Sequence, residues 1–409
     1  MTWRHLTSRL VLLGLSAIAT AAQADVDPRI QALAQYKHDL ISVLTLRADA
    51  PHLLGAALLA RTFNDSAPGL DYDSLLARAA AADPDSAAVI WARLGDCDRK
   101  AQNCPNADAL ARLESMAEDN AAVWILVLDR AARDGDRDAQ LAALRKAADA
   151  RGYNDYGGAV LQALTLAATS LPVPEAVVHA YAGNASSEAG PASAQAFLAY
   201  GQATAQPEPG FLPIMELCDP EANDDVGELL SSCRKLAHIL AWGSSPRARA
   251  AGLHLKDVLA ATPAARAEAK ADMRDLVWQL RNYSRLTFKA LGNQALALEL
   301  LRLGQSGGSE LTRMSALLRQ QGIPVEAPPT ASWSTSPANP ATATSSPDAA
   351  PAPAIAASSA DLFESPRPAS SAAQPAVAAS SSQPARSTSS GKAAAASAAN
   401  PDVETTRGW

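Results

Sequence analysis

One short stretch of the chain fits a motif that places a nucleophilic serine at a strained turn. Residues 304–308 are Gly-Gln-Ser-Gly-Gly, which matches G-x-S-x-G and would make Ser306 the nucleophile. That chemistry requires a strand before the serine and a helix after it. Here an apolar helical stretch, ALALELLRL, runs directly into Gly304. Since glycine commonly ends a helix, we predict a connector with Ser309 capping the next helix, and no catalytic role for Ser306.

The four cysteines form two local pairs, and the chemistry that they offer is disulfide formation. Cys97 and Cys104 bracket a polar loop, DCDRKAQNC, whereas Cys218 and Cys233 join a helix to the segment before it. Disulfides form in exported proteins, and closing short loops in this way stabilises a fold by about 2–4 kcal/mol each. We predict these two pairings. Cross-connection of the pairs is the alternative, and it requires distant loops to meet.

A metal site would combine the second cysteine pair with His238 and His254. Structural zinc sites bring ligands in pairs roughly two to five residues apart, and only Cys233 and His238 approach that spacing. Three other histidines are dispersed along the chain and form no ligand pattern: His38, His52 and His179. We therefore predict no metal ligand among these residues.

A cluster of aspartates has the opening spacing of a calcium-binding loop. Asp134, Asp136 and Asp138 occupy alternate positions. A calcium loop next requires a glycine for its sharp turn and later a bidentate glutamate. Ala139 and Arg145 stand at those places. Because the sequence also lacks a phosphate-binding glycine loop and a dinucleotide motif, we predict a solvated charged turn, no cofactor and no enzyme active site.

Composition narrows both the partners and the fold class. The chain has 409 residues, a formal net charge of -7 and 5% aromatic residues. This mild acidity provides no basic footprint, so we expect no nucleic-acid partner. Alanine, which has the lowest free-energy cost in a helix, is abundant, and apolar residues recur with helical spacing. These features predict an all-α fold.

The N-terminal residues have the three parts of a secretory signal. Arg4 and Arg9 give a positive start, residues 10–19 are apolar, and the tripeptide AQA ends at Ala24. The apolar run is shorter than the roughly 20 residues that span a bilayer, and an uncleaved anchor is the alternative. We predict that residues 1–24 are a signal peptide cleaved near Ala24. The mature chain, with no transmembrane span, would then be periplasmic or secreted.

The composition changes again at Pro324, after which Ala, Ser, Pro and Thr dominate. Such a segment cannot bury enough apolar surface to offset the entropy lost on ordering. We therefore predict that residues 324–409 are a disordered tail that acts as a spacer or tether. Within the folded part we expect helices to start at Pro28, Pro51 and Pro220. The N–H that proline lacks would have no hydrogen-bond partner in a first helical turn, so proline costs nothing there.

One apolar pattern with helical spacing occurs twice in the sequence, and its two copies are 34 residues apart. The two stripes share the spacing i, i+3, i+4, i+7, and they are Ala87, Ile90, Trp91 and Leu94, then Ala121, Trp124, Ile125 and Leu128. A single helical hairpin cannot bury such a stripe alone, whereas stacked hairpins bury a continuous core. The recurrence therefore predicts stacked helical hairpins.

This period and its residues resemble the tetratricopeptide repeat. Trp91-x-x-Leu94-Gly95 matches the opening of that family's first helix. Residues 119–150 fit the whole unit, with Trp124 in the first helix and Gly135-Asp136 at the turn. The departures are Leu128, where the family usually has glycine, together with Gln140 and Gly152.

The resemblance implies an α-solenoid of about four hairpins within residues 25–190, whose curvature creates a concave binding surface. Other helical-hairpin repeats of similar length, and an irregular helical domain, are the alternatives. Residues 191–323 are predicted to form a second helical region without a 34-residue match. Two apolar stripes indicate its helices, Leu229, Cys233, Leu236 and Leu240, then Met273, Leu276, Val277 and Leu280.

Together these features predict an exported periplasmic helical-repeat scaffold that binds a protein or peptide partner, with the tail as a spacer. One alternative is a cell-envelope enzyme or cell-wall hydrolase accessory with an unrecognised active site. Another is a mainly structural envelope protein without a discrete ligand. The sequence identifies neither the partner nor the oligomeric state.

Overall fold

The computed structural model describes residues 27–63, 68–94, 107–182, 188–203, 209–221 and 226–329. Within these ranges the chain is all-α, as predicted: it forms sixteen helices, and the only β-type pairing is an isolated bridge between Asn120 and Gly152. The predicted signal peptide, the loop with Cys97 and Cys104, and residues 330–409 lie outside the described residues.

The helices are numbered in chain order. They are α1 (Pro28–Leu44), α2 (Ala50–Ala60), α3 (Tyr72–Ala82), α4 (Ala87–Leu94), α5 (Ala107–Met116), α6 (Ala121–Asp134), α7 (Arg137–Asp149), α8 (Gly157–Ala168), α9 (Glu175–Ala182), α10 (Pro191–Ala203), α11 (Leu212–Cys218), α12 (Val226–Ala241), α13 (Pro246–Val258), α14 (Pro263–Ala290), α15 (Gln294–Gln305) and α16 (Glu310–Gln320).

Side-chain caps fix most of the helix starts. The carboxylates of Asp27 and Asp49 accept backbone N–H groups at the starts of α1 and α2, which begin at or next to the predicted prolines. The prediction for Pro220 was wrong. The Asp219 side chain accepts the N–H of Glu221 and closes a local turn there, so α11 has already ended and α12 begins later.

Three hairpins of antiparallel neighbours form the first part of the fold: α2 with α3, α4 with α5, and α6 with α7. The turn predicted at Gly135-Asp136 is confirmed. Gly135 has φ 71° and ends α6 in the left-handed conformation, and the carboxylate of Asp136 caps α7 by accepting the N–H of Ala139. Both apolar stripes that recur in the sequence face the interior, with Trp91 and Trp124 at most 5% exposed.

One hydrogen-bonded contact joins two asparagines that are 34 residues apart, which is the period of the sequence repeat. The side-chain oxygen of Asn120 accepts the N–H of Asn154 at 2.9 Å, and its amide nitrogen donates to the carbonyl of Asn154 at 2.8 Å. Arg112 pairs with Asp85, and Arg151 pairs with Asp119, the residue 34 positions after Asp85. The exposed ion pairs contribute little free energy, and only their aspartates keep the 34-residue spacing, since the two arginines are 39 residues apart.

The chain leaves this hairpin arrangement at α8. Instead of pairing with α9, α8 packs against α2 on one side and against α10 and α15 on the other. Glycines allow the close approach. A Cβ added at Gly55 of α2 would lie 2.5 Å from the carbonyl oxygen of Ala163, and one added at Gly304 of α15 would lie 2.5 Å from Thr165 Oγ1. The predicted fourth hairpin is therefore absent from the described residues.

As a result, the first helix of each hairpin is buried on both sides. Residues 53–60 of α2, 88–92 of α4 and 121–125 of α6 are all buried. The inner side is covered by α8 against α2, by α11 against α6, and by the ring of Tyr156, whose centroid lies 5.4 Å from that of Trp91. In a stack of tetratricopeptide-like hairpins, the inner surface of the first helices would be free to bind a ligand. Here the chain itself covers that surface.

The remaining helices continue the packing through α7, which contacts α12, and then through α13 and α14. The predicted stripe on α12 is confirmed, because Leu229, Cys233, Leu236 and Leu240 are all buried. The stripe predicted on α14 was only partly correct. Leu276 is buried, but the polar residues Gln279 and Asn282 are buried with it, while Met273 and Leu280 are half-exposed.

We predict that Gly55→Ala destabilises the fold, because the new methyl group would overlap the backbone of α8. The free energy of unfolding should fall by about 1–3 kcal/mol, measured from urea titrations. Gly201→Ala in α10 is the matched control: its added Cβ meets nothing within 4 Å, and removal of a helical glycine should stabilise by about 0.5–1 kcal/mol. Equal stability of Gly55→Ala and the unmodified chain would contradict the close packing of α8.

Candidate functional site

The second predicted disulfide is present. Cys218, the last residue of α11, is bonded to Cys233 in α12 with a Cα–Cα distance of 5.7 Å, and both residues are fully buried. The bond fixes α11 against the longer helix, where α11 also contacts α6. Cys97 and Cys104 lie outside the described residues, so the first pairing stays a prediction.

This disulfide removes the sulfur ligands that a metal site would have used. His238 and His254 are both exposed on different helices, α12 and α13. Within the described ranges no group of three or more His, Cys, Asp or Glu side chains is arranged to hold a metal ion. The other histidines have local contacts. His52 lies 2.6 Å from the capping Asp49, His179 lies 3.5 Å from Glu175, and His38 stacks on Phe63.

The G-x-S-x-G stretch serves helix packing. Gly304 does not end α15 as predicted: the helix continues to Gln305, and its C-cap is Ser306, whose hydroxyl donates to the carbonyl of Leu303 at 2.8 Å. Gly304 lies against Thr165 of α8, and the carbonyl of Gly308 lies against Gly158 at the start of α8. As predicted, Ser309 caps the last helix by accepting the N–H of Thr312. The motif therefore connects two helices and permits their contact with α8.

A shallow crevice of about 390 Å³ opens between the C-terminal end of α14, α15 and α16. Its charged lining residues include Lys289, Glu299 and Arg302. The guanidinium of Arg302 hydrogen-bonds both carboxylate oxygens of Glu299. Arg302 and Glu299 thus neutralise each other within the crevice, which leaves the ammonium of Lys289 as the remaining charge of these three.

A different surface, on α14, is covered by a later segment of the same chain. After α16 the chain turns at Gly322 (φ 69°), and residues 323–327, here called the strap, run along α14. The indole N–H of Trp278 donates to the carbonyl of Pro324 at 2.8 Å, and the side-chain amide of Gln279 donates to the carbonyl of Val325 at 2.7 Å. The backbone N–H of Ala327 in turn donates to the carboxylate of Asp275 at 2.8 Å.

Exposure alternates along the strap, and its backbone bends at Val325 and Glu326. Ile323, Val325 and Ala327 are half-buried, whereas Pro324 and Glu326 are exposed. Ile323 and Val325 pack against the apolar core formed by α10 and α13 to α16. Pro324 and its neighbours were predicted to belong to the disordered tail, but the described part of the chain continues in contact with α14 as far as Ala327.

Beneath the strap lies a polar seam that is unusual for a helix interior. Gln279 is 5% exposed and Asn282 is 4% exposed. The amide of Asn282 donates to the carbonyl of Trp278 one turn earlier. Buried polar groups cost free energy unless they are hydrogen-bonded. The side-chain oxygen of Gln279 is buried and, among the described residues, has no hydrogen-bond partner.

Two tyrosines extend this polar region into the core. The hydroxyl of Tyr200 donates to the carbonyl of Leu300 at 2.8 Å, and Tyr283 is hydrogen-bonded to Tyr200. Burial raises the pKa of Tyr200 to about 12 and raises the pKa of Tyr283 well above its usual value. Both hydroxyls therefore stay protonated at neutral pH and serve as hydrogen-bond groups rather than as charges.

No sequence pattern identified the three side chains that hold the strap, those of Asp275, Trp278 and Gln279. Asp275 and Gln279 share one helix face with Asn282 at i, i+4 and i+7, but polar residues at this spacing normally mark the solvent side. The apolar spacing of Met273, Leu276 and Leu280 favoured a neighbouring face. Only the covering strap, whose own sequence is rich in proline, makes the polar face an interior one.

We predict that loss of the Cys218–Cys233 disulfide destabilises the fold without unfolding it. The bond spans 15 residues of sequence, and a loop of that size corresponds to about 3 kcal/mol. The Cys218→Ala/Cys233→Ala variant should therefore show a lower urea midpoint, with helicity retained in the circular dichroism spectrum. Mass mapping after alkylation without reduction should leave both thiols of the unmodified chain unlabelled; labelling of either would contradict the bond.

We also predict a loss of stability at high pH from the buried tyrosines. Their pKa values are raised in the folded state, so the protonated form is favoured by folding. Stability is unaffected below the unfolded value of about 10 and falls as the pH rises from there toward 12. Tyr200→Phe should make this fall shallower in urea titrations between pH 8 and 11.5. An unchanged pH slope would contradict the assignment.

None of the helices in the described ranges is both long and apolar enough to cross a membrane. No protein-family model, curated protein or solved structure matches the chain. What the protein does must therefore be inferred from its own contacts, among which the strap on α14 is the most informative.

Proposed function

We propose that this protein is an exported helical scaffold that binds an extended segment of a partner protein on α14. The observation that carries the proposal is the way in which Asp275, Trp278 and Gln279 hold the strap. All three side chains bond to backbone groups. Such contacts give affinity for an extended main chain, and pockets for alternate side chains add selectivity.

The packing of the hairpins supports this location. An ordinary stack of hairpins offers its concave side to a ligand, but here α8 and α11 cover the first helices of the hairpins. The α14 face is an alternative surface with polar groups already directed at a polypeptide. The asparagines at positions 120 and 154 are 34 residues apart, which supports a tetratricopeptide-like origin for the hairpins. In this proposal the hairpins do not bind the partner but form the scaffold that carries α14.

Export is supported by two independent features. The first residues have the charge, apolar run and small-residue site of a cleavable signal. The buried Cys218–Cys233 disulfide is of the kind that persists in oxidising compartments. A periplasmic or secreted location would also suit the low-complexity residues after the strap, which would act there as a spacer.

Site-specific photo-crosslinking in cells that produce the full chain tests the proposal. A photoreactive residue is placed at Arg274, which is exposed on α14 one turn before Trp278. We expect a covalent adduct with a distinct partner protein in the exported fraction, because the partner segment would lie along this face. Mass spectrometry separates this adduct from an intramolecular one with the strap.

The matched control carries the same photoreactive residue at Ala111, which is exposed on α5 and far from α14 in the chain. The partner adduct should be absent there. Equal adducts at both positions would indicate nonspecific capture. A lack of any intermolecular adduct at Arg274, in cells where the chain is exported, would contradict the proposed function.

A further inference from the structure

The strap pairs with only some of the hydrogen-bonding groups on the α14 face. Gln279 donates to the carbonyl of Val325, but the oxygen of the same amide is buried without a partner. A buried acceptor left unpaired destabilises the fold, because its desolvation is not offset by a hydrogen bond. The strap thus contributes apolar contacts and three hydrogen bonds to α14, while one buried acceptor on the same face stays unsatisfied.

A side-chain amide presents one acceptor and a donor group side by side. The N–H and C=O of one residue in an extended strand point to the same side, so the two can pair with an amide simultaneously. The geometry at Gln279 uses only the donor half of this arrangement. An extended segment that supplies its N–H as well as its carbonyl at this point would fit the site better than the strap does.

The strap is also weakly anchored at both ends. Its first residue follows Gly322, whose left-handed turn returns the N–H of Ile323 to the carbonyl of Leu318 and ends α16. Beyond Ala327 come Pro328 and Pro329, which have no N–H to donate to a neighbour. Departure of the strap would therefore break its three bonds to α14 side chains but would leave the backbone hydrogen bonds within α14 and α16 intact.

We propose that the strap is a replaceable occupant of the α14 face. Its replacement is an extended partner segment with small apolar residues at alternate positions and a free N–H opposite Gln279. This inference rests on the proposed function and names both the kind of partner segment and the element that regulates access. Alternation is required because Ile323, Val325 and Ala327 are the strap residues that face inward.

The test releases the strap in the full chain without changing α14. Ala327→Pro removes the N–H that donates to Asp275, and Ala327→Ser, which keeps it, is the matched control. Release is read from the hydrogen exchange of the Trp278 indole N–H, which donates to Pro324 when the strap is bound. The probe is a fluorescently labelled peptide with the sequence of residues 321–329, QGIPVEAPP, followed by anisotropy.

We expect Ala327→Pro to bind this peptide at least about tenfold more tightly than the unmodified chain or Ala327→Ser, since an intramolecular occupant lowers the fraction of competent sites. A peptide with aspartate in place of its valine should not bind. Faster indole exchange without peptide binding would overturn the proposal, because the emptied face would then not accept a separate strand.

A second variant, Ile323→Asp/Val325→Asp, covers the case in which Ala327→Pro leaves the indole N–H protected. Protection in both variants would make the strap a permanent part of the fold and would also overturn the proposal. The crosslinking experiment above is independent of these outcomes. If a partner adduct forms at Arg274 but the strap is permanent, the proposed function stands and strap exchange is rejected. If the peptide exchanges with the strap but no partner adduct forms, strap exchange stands and the proposed function is rejected.

Discussion

The close approach of α8 to its neighbours is the constraint on which the rest of the fold depends. At Gly55 and Gly304 there is no room for a single methyl group between α8 and the helices that flank it. Because packing energy is lost rapidly when surfaces separate, these contacts bind the hairpins before α8 to the helices after α10. The apolar faces of α2 and α15 both pack against α8. The two halves of the chain are therefore joined through one helix that belongs to the core of each.

This arrangement decides where a ligand can bind. A stack of hairpins that ended freely would expose the inner faces of α2, α4 and α6, but α8, α11 and Tyr156 occupy that side. The binding surface that we propose therefore lies on a later helix. The long helix α14 is held by α13 on one side and by α15 and α16 on the other, and its remaining polar face is the one that the strap covers.

The sequence predicted the parts of this fold that are specified locally. The all-α class, the hairpin of α6 and α7, the stripe on α12 and the second disulfide all follow from spacing within about 35 residues. The reversal at α8 could not be predicted, because it depends on contacts between Gly55 and Ala163 and between Gly304 and Thr165. Likewise, Gln279 stands in a surface-like pattern, and the strap residue that its side chain contacts, Val325, is 46 residues away in the chain.

The buried side-chain amides of Asn120 and Gln279 differ in how completely their hydrogen-bonding groups are paired. The oxygen of Asn120 accepts two backbone N–H groups and its nitrogen donates to a carbonyl and to Tyr156, so every capacity of this amide is used within the fold. Gln279 is as well buried, but only its donor half is used. Selection for stability alone would favour a complete network or an apolar residue at this position. A half-used amide beneath the strap is better explained if the strap is not the only segment that lies there.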